Sequence, residues 1–439
     1  MRSFVLGFTW CFVLQAAVPS TIWASVASAS LASDASGETW HLPELIAEAK
    51  AHNPAILQAR KRWEAVQAKI PLAKGLPPPR IGVQFEEIPR GTVQINQATV
   101  LYQLIQMLPF PGKLSMRHQV AVKEAQVAAA AFKQAEWDVV SELKQAYYDL
   151  FLLERTMGIE QARVVWIQDA EATARARYET GTMGQAELLR LQGETLSASN
   201  AVDVLRHRRE AMAAHLNHLL NRAIHDSVGH PEAPPLEPLS FTTDELMMIA
   251  EERQPELLVM KYSLERAEAQ YRLSKRELLP DVETMFALRD PAMGPIGPWD
   301  LTLAFVLPFW FWTKLQYGVK AALYDKESMA AAYEAMRNEI ARRIHEHWHE
   351  AAASYQTAKL CREGLLPLAR EAVASVLSAY ESGRTSSTEV LETLRALTEQ
   401  ERTYDEHLVS WEQHVVLLEQ ATGIPLRTAH ADQMKGGAP

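Results

Sequence analysis

The chain has 439 residues, 48% hydrophobic and 22% charged, with a formal net charge of −10. That acidic balance argues against nucleic acid as a partner. Beyond the N-terminal region no run of 18 apolar residues exists, which excludes a transmembrane helix and leaves strands as the only route across a membrane.

Residues 4–18 form an apolar stretch after Arg2, and the small-residue sites Ser25-Val26-Ala27 and Ala27-Ser28-Ala29 follow, so residues 1–29 read as a cleavable signal peptide. Cys11 lies inside it after Trp10, not after the small residue expected before a lipidated cysteine. Cleavage removes Arg2, takes the charge from −10 to −11, and leaves Cys361 alone, so no intramolecular disulfide forms.

A short helix is expected over Leu42 to His52 and a second over Pro54 to Lys74. Ile81, Val83 and Phe85 alternate with Gly82, Gln84 and Glu86, and a return strand covers Thr99 to Leu108. Their lengths approach the 9 to 11 residues of a transmembrane β-strand. Residues 86–98 read as a solvent-facing hairpin loop. Pro111 and Gly112 then break the strand, and a helix runs without proline from Lys113 to Thr180. Its seam (Ala121, Ala125, Ala128, Phe132, Ala135, Val139, then Leu143, Ala146, Leu150, Leu153, Met157) alternates steps of four and three, with an extra four at Val139 that unwinds a left-handed supercoil. At 1.5 Å per residue this is a rod of about 100 Å, too long to fold back into one compact core. A return helix spans Gly184 to Asn221.

Residues 230–241 are a proline-rich linker. Thr242 or Thr243 caps the next short helix, and Pro255 to Arg276 forms another. Strands are expected over Val282 to Leu288 and Leu301 to Leu307, joined by loop 289–299, with Trp299, Trp310 and Trp312 near their ends as interfacial aromatics. A second rod follows, with seam Met329, Tyr333, Met336, Ile340, Ile344, Trp348, Ala351, Tyr355 and Ala358, and a return helix covers Ser386 to Thr422. Pro367 should kink this second hairpin only. Residues 428–439 read as a disordered tail.

These elements occur twice. Asn53-Pro54 maps on Gln254-Pro255 at an offset of 201, Leu108-Pro109-Phe110 on Leu307-Pro308-Phe309 at 199, Lys113-Leu114 on Lys314-Leu315 at 201, and Tyr178-Glu179-Thr180-Gly181 on Tyr380-Glu381-Ser382-Gly383 at 202. So long a period implies a duplicated domain, residues 40–229 and 242–427. The expected fold is α+β and mostly α: a duplicated unit of long coiled-coil helices plus two β-hairpins.

His345-Glu346-His347-Trp348-His349 matches the H-E-x-x-H pattern of zinc hydrolases. Three readings stand: a catalytic zinc site with Glu346 as base, a cation-binding pair His345 and His349 one turn apart, and a polar helix face. A rod offers no cleft to exclude water or supply a third ligand, which favours the last.

The signal peptide, the duplicated strands and rods, and the two Tyr-Glu-Thr/Ser-Gly turns resemble the TolC-like outer-membrane efflux factors. The resemblance implies a homotrimer whose chains each give four strands to a twelve-stranded transmembrane β-barrel on a periplasmic α-barrel. It also implies an exit duct, not an enzyme and without a cofactor, serving a tripartite efflux pump or type I secretion system. Its partners would be a periplasmic adaptor, an inner-membrane pump and outer-membrane lipid. Leu108-Pro109-Phe110-Pro111-Gly112-Lys113-Leu114 is similar to the junction in relatives paired with heavy-metal pumps of the resistance-nodulation-division class, which makes heavy-metal cations the candidate cargo. By register, Glu389 and Glu392 take the place of the family's acidic gate pair, Tyr380 that of a latch tyrosine with Glu187 as its acidic partner, and Gly181 and Gly383 mark the adaptor-docking tips. Thr385, not arginine, stands at the second latch position, with Arg384 before it, and Arg190 stands where the second repeat has Glu392. The rival is a soluble periplasmic coiled-coil adaptor, though such proteins carry one hairpin and a Gly-rich lipoyl-like module.

Overall fold

The computed structural model describes residues 39–86, 98–289, 299–307 and 314–427. The expected signal peptide with Cys11, most of both hairpin loops, Trp310, Trp312 and the tail lie outside the described residues.

Repeat one comprises β1 (Thr39–Trp40), α1 (Leu42–His52), α2 (Pro54–Gln67), β2 (Arg80–Glu86), β3 (Thr99–Leu108), α3 (Lys113–Glu179) and α4 (Gln185–Leu220). After β4 (His230–Pro231), repeat two comprises α5 (Thr243–Arg253), α6 (Pro255–Arg276), β5 (Asp281–Arg289), β6 (Trp299–Val306), α7 (Gln316–Leu360), α8 (Leu366–Glu381) and α9 (Ser387–Thr422). Asn53 and Gln254 cap α2 and α6 with their side chains, and Thr242 with Glu245 closes a capping box on α5.

One helix is shorter than expected. α2 stops at Gln67, and Pro71–Lys74 forms a separate 3₁₀ turn, because Pro71 has no N–H to continue the ladder. Its counterpart at the 201-residue offset is Arg272, so α6 runs on to Arg276.

The two rods also differ. α3 is one helix of 67 residues, its seam buried at Ala125, Phe132, Val139, Leu143, Ala146 and Leu150. The second rod is interrupted by a π-helical turn at Cys361–Leu365, just before Pro367. The buried pairs Val139/Ile340 and Leu143/Ile344 hold the 201 offset, whereas Tyr178/Tyr380 stand 202 apart. Repeat two thus carries one extra residue between them, and a π-turn absorbs a single insertion without turning the helix face below it. Pro367, which cannot donate to the preceding turn, finds the ladder already open.

α9 packs against α3, α7 and α8, and α6 packs against both α3 and α7, so the repeats interlock. The linker is docked as well: β1 pairs in parallel with β4, and the Tyr147 hydroxyl donates to Trp40 O at 2.8 Å and accepts from Glu232 N at 2.7 Å.

The four long strands form one antiparallel sheet, ordered β2-β3-β5-β6, with β2 and β6 as its edges. Its register (Ile81↔Leu104, Val83↔Tyr102, Leu104↔Phe286, Phe286↔Leu301, Val282↔Phe305) puts these apolar side chains on one face. That face is bare: Ile81 is 84% exposed, and Tyr102, Leu301, Leu303 and Phe305 are also exposed. The opposite face carries the charged and amide side chains, set among Leu101, Ile105 and Met285. There Arg80 pairs with Glu283 at 2.9 Å, Arg289 with Asp300 at 3.2 Å, and Gln103 donates to Gln84.

Candidate functional site: the sheet and the hairpin tips

A sheet that exposes apolar side chains on one face and pairs charges on the other is built to separate lipid from water. Its seating is rigid. Gly112 takes φ +92° at the strand-to-helix corner, and the buried Lys113 ammonium donates to Leu279 O at 2.7 Å and Asp281 Oδ1 at 2.8 Å. Asp281 Oδ1 also accepts the Phe110 N–H at 2.7 Å. The Pro-Gly-Lys segment is therefore an anchor of β5 on α3, and its counterpart Lys314 is exposed. Among the described residues no helix is long and apolar enough to cross a membrane.

At the far end both turns close alike. Thr182 N donates to Arg177 O at 2.9 Å and Arg384 N to Ala379 O at 2.9 Å, around Gly181 (φ 72°) and Gly383 (φ 75°). These are Schellman ends, whose left-handed residue favours glycine. Around them the hairpins are unequal. Tyr380 is buried, with its hydroxyl unpartnered, and burial followed by the nearby Glu187 charge raises its pKa. Glu187 Oε1 instead accepts the backbone N–H of Ser387 at 2.9 Å, at the positive start of α9. The expected bond between Tyr380 and Glu187 is not made: the carboxylate is turned to the Ser387 amide and the Tyr380 hydroxyl has no partner. Arg177, which the sequence reading passed over, covers the Tyr380 ring at 4.9 Å and donates to the carbonyls of Tyr380 and Glu381.

Glu389 and Glu392 are exposed on α9. Ser386 caps the Glu389 N–H at 3.4 Å, and Thr385 donates to the Glu389 carboxylate. Thr385, standing at the position where the resemblance implies arginine, thus ties down the Glu389 carboxylate. Arg190 donates to Thr388 at 2.8 Å, and Arg395 pairs with Glu194 across the hairpins.

His345 and His349 lie on an exposed face of α7 with ring centroids 4.4 Å apart. Glu346 is tied to Arg342, which also pairs with Glu339 at 2.8 Å and, with Arg343, holds that carboxyl down to about 2. Among the described residues no three His, Cys, Asp or Glu side chains converge as a metal site. The arrangement fits a polar helix face rather than a hydrolase centre.

These features define a membrane-seated conduit with a long helical stem. The family profile of outer membrane efflux proteins matches residues 45–222 and 246–424, one span per repeat, and the chain belongs to that family. It is an outer-membrane efflux channel with a large periplasmic helical extension. Solved structures share the fold. The outer membrane protein VceC from Vibrio cholerae aligns with TM-score 0.74 and 15% identity over 88% of this chain and 96% of its own. CusC, whose structures follow transmembrane channel formation, gives 0.74 and 15% over 87% and 92%. The open-state MtrE outer membrane channel of Neisseria gonorrhoeae gives 0.72 and 16% over 88% and 89%. No curated protein sequence matches the chain at a significant level.

Proposed function

We propose that three copies close their sheets into one twelve-stranded barrel above a shared periplasmic α-barrel, forming the passive exit duct of a tripartite efflux pump or type I secretion system. The observation that carries this reading is the four-stranded sheet with an exposed apolar face, a charge-paired polar face and two unpaired edges. Four strands cannot close a barrel that needs at least eight, and bare edges in lipid leave backbone groups unsatisfied. Carrying the β3–β5 register over to the repeat counterparts pairs β6 with β2 of a second copy, Phe305 opposite Val83 and Ala304 opposite Gln84. That register keeps apolar against apolar on the bare face, Phe305 with Val83 and Leu303 with Phe85.

In this reading the tips around Gly181 and Gly383 dock on a periplasmic adaptor, an inner-membrane pump of the resistance-nodulation-division class supplies the energy, and heavy-metal cations are the cargo. Glu389 and Glu392, repeated by symmetry, put a negative field at the mouth that draws cations and admits divalent blockers. Tyr380, Glu187 and Arg177 hold the hairpins together until the mouth opens. His345 and His349 form a weak two-imidazole station for a passing transition-metal cation. A soluble adaptor fits less well, since it has no use for a bare apolar sheet face.

Single-channel recording in planar bilayers tests the duct and its mouth together. Discrete cation-selective steps are expected, with divalent block weakened in Glu389→Gln, Glu392→Gln. If neither the protein nor a variant lacking the Arg177 and Tyr380 contacts conducts, the duct reading fails. If conductance is unaltered by the double substitution, the acids are not the gate.

A further inference from the structure

The internal repeat lets one face of hairpin one be compared, residue by residue, with a face whose partner is known. Within the chain, Tyr380 and Leu391 of hairpin two share one core cluster with Ile167, Ala170, Ala174 and Leu188 of hairpin one, and they and Thr398 on the same stretch are 2%, 4% and 9% exposed. At the 202-residue offset their counterparts are Tyr178, Leu189 and Leu196, which are 43%, 56% and 73% exposed. Hairpin one therefore carries the same apolar face, uncovered. The start of α4 is bare too: α9 has a Ser386 side-chain cap and the Glu187 carboxylate on its Ser387 N–H, whereas α4 begins at Gly184 with no side-chain cap.

The covering surface has a counterpart as well. Hairpin one meets this part of hairpin two with Arg177 over Tyr380, Glu187 on Ser387, Arg190 on Thr388 and the seam Ile167, Ala170 and Ala174. The counterparts on hairpin two are Ala379, Glu389, Glu392, Ala369, Ala372 and Val376, small or apolar except for the two acids. We propose that in the assembled ring hairpin two of a second copy covers Tyr178, Leu189 and Leu196, and that its Glu389 accepts the Gln185 N–H as Glu187 accepts that of Ser387 within one chain. This rests on the cyclic assembly proposed above and adds to it which side chains meet. In a closed ring of two-unit chains, every junction inside a chain has a quasi-equivalent junction between chains.

The two junctions are unequal in strength. The Arg177 clamp becomes Ala379, the Arg190–Thr388 bond becomes Glu392 opposite Ala186, and the Arg395–Glu194 pair becomes Gly193 opposite Ala396. The seam between chains keeps the apolar face and one charge-assisted hydrogen bond, and loses the other polar ties. The mouth thus parts first between chains, and Glu389 is a residue of that seam as well as a source of negative field.

The test uses the full chain with Cys11→Ala and Cys361→Ala. Mild oxidation of Ala186→Cys, Glu392→Cys, and separately of Gly193→Cys, Ala396→Cys, is expected to link monomers into covalent dimers and trimers. The intrachain twin Arg190→Cys, Thr388→Cys should give only a compacted monomer. Independently, amide exchange at residues 185–188 should be protected in the wild type and about tenfold faster in Glu389→Ala. If light scattering shows an oligomer, yet neither pair links chains and exchange at 185–188 ignores Glu389, the seam is wrong and the ring stands. A monomer in light scattering overturns the ring itself.

Discussion

Arg177 lies over the ring of Tyr380 and donates to the carbonyl of the same residue, so a single guanidinium from hairpin one closes both the side chain and the C-terminal turn of hairpin two. The planar fork of arginine suits this double task, which lysine cannot reproduce. Arg177→Ala should cost the contact about 1–2 kcal/mol, since the guanidinium is partly solvated. Amides 382–390 should then exchange roughly 5- to 30-fold faster, with Arg177→Lys recovering less than half of the protection. Unchanged exchange in both variants would remove Arg177 from the clamp.

Between α3 and α9 the seam is polar in a regular way. Asp405, Glu412 and Glu419 are buried seven residues apart on α9. Running the other way along α3 they face Arg155 at 3.2 Å, Tyr148, and Lys144. Buried polar groups with fixed partners favour this register over slips that strand one of them unpaired. Burial raises Glu412 to about 7 against the pull of Arg427. The folded chain thus holds a proton that the unfolded chain releases near 4.5. Its favourable contribution is complete below pH 4.5 and is lost as pH rises through about 7, an effect of up to about 3 kcal/mol. Glu412→Gln should therefore raise the thermal midpoint in detergent at pH 8, with the gain shrinking toward zero at pH 5. An equal gain at both would show that Glu412 is already ionised in the fold.

Much of this was legible in the sequence. Pro255, Gly181, Gly383, Ser386 and the strand alternation are local signals, and the elements start and stop where they direct. The duplication set the architecture because each landmark recurred in order. Arg177 was missed because its partners lie 203 and 204 residues away and no spacing announces them. Glu187 was assigned to Tyr380 by register, but the competing donor is a main-chain N–H, which carries no sequence signature. Pro71 was read through because apolar residues continue on either side of it. The acids at 405, 412 and 419 did leave a trace, a seven-residue polar step inside an apolar seam.

The π-turn at Cys361–Leu365 separates two causes that sequence reading merges, an inserted residue and a proline. If the insertion is responsible, deleting Gly364 restores the 201-residue offset and a continuous α-helix, while Tyr380 keeps its face toward Arg177. Pro367→Ala, which retains the extra residue, should leave the π-turn in place. The deletion is expected to assemble, with a thermal midpoint within a few degrees of wild type and altered opening of the mouth in bilayers. A deletion variant that loses protection at Tyr380 would show instead that the turn is set by tertiary contacts.

On the exposed face of α7, His345 and His349 test whether the rod interacts with metal cations at all. Their rings sit one turn apart with nothing between them and solvent, while Glu346 is held by Arg342. Two imidazoles one turn apart on one helix bind a transition-metal cation weakly, because the protein supplies only two ligands. Titration with zinc or copper should show one weak site per chain, abolished by His345→Ala, His349→Ala and unaffected by Glu346→Gln. Purified protein should hydrolyse no peptide in any of these forms. Hydrolysis lost in Glu346→Gln would restore the zinc-hydrolase reading, and binding unchanged in the double histidine variant would move the metal site elsewhere on the chain.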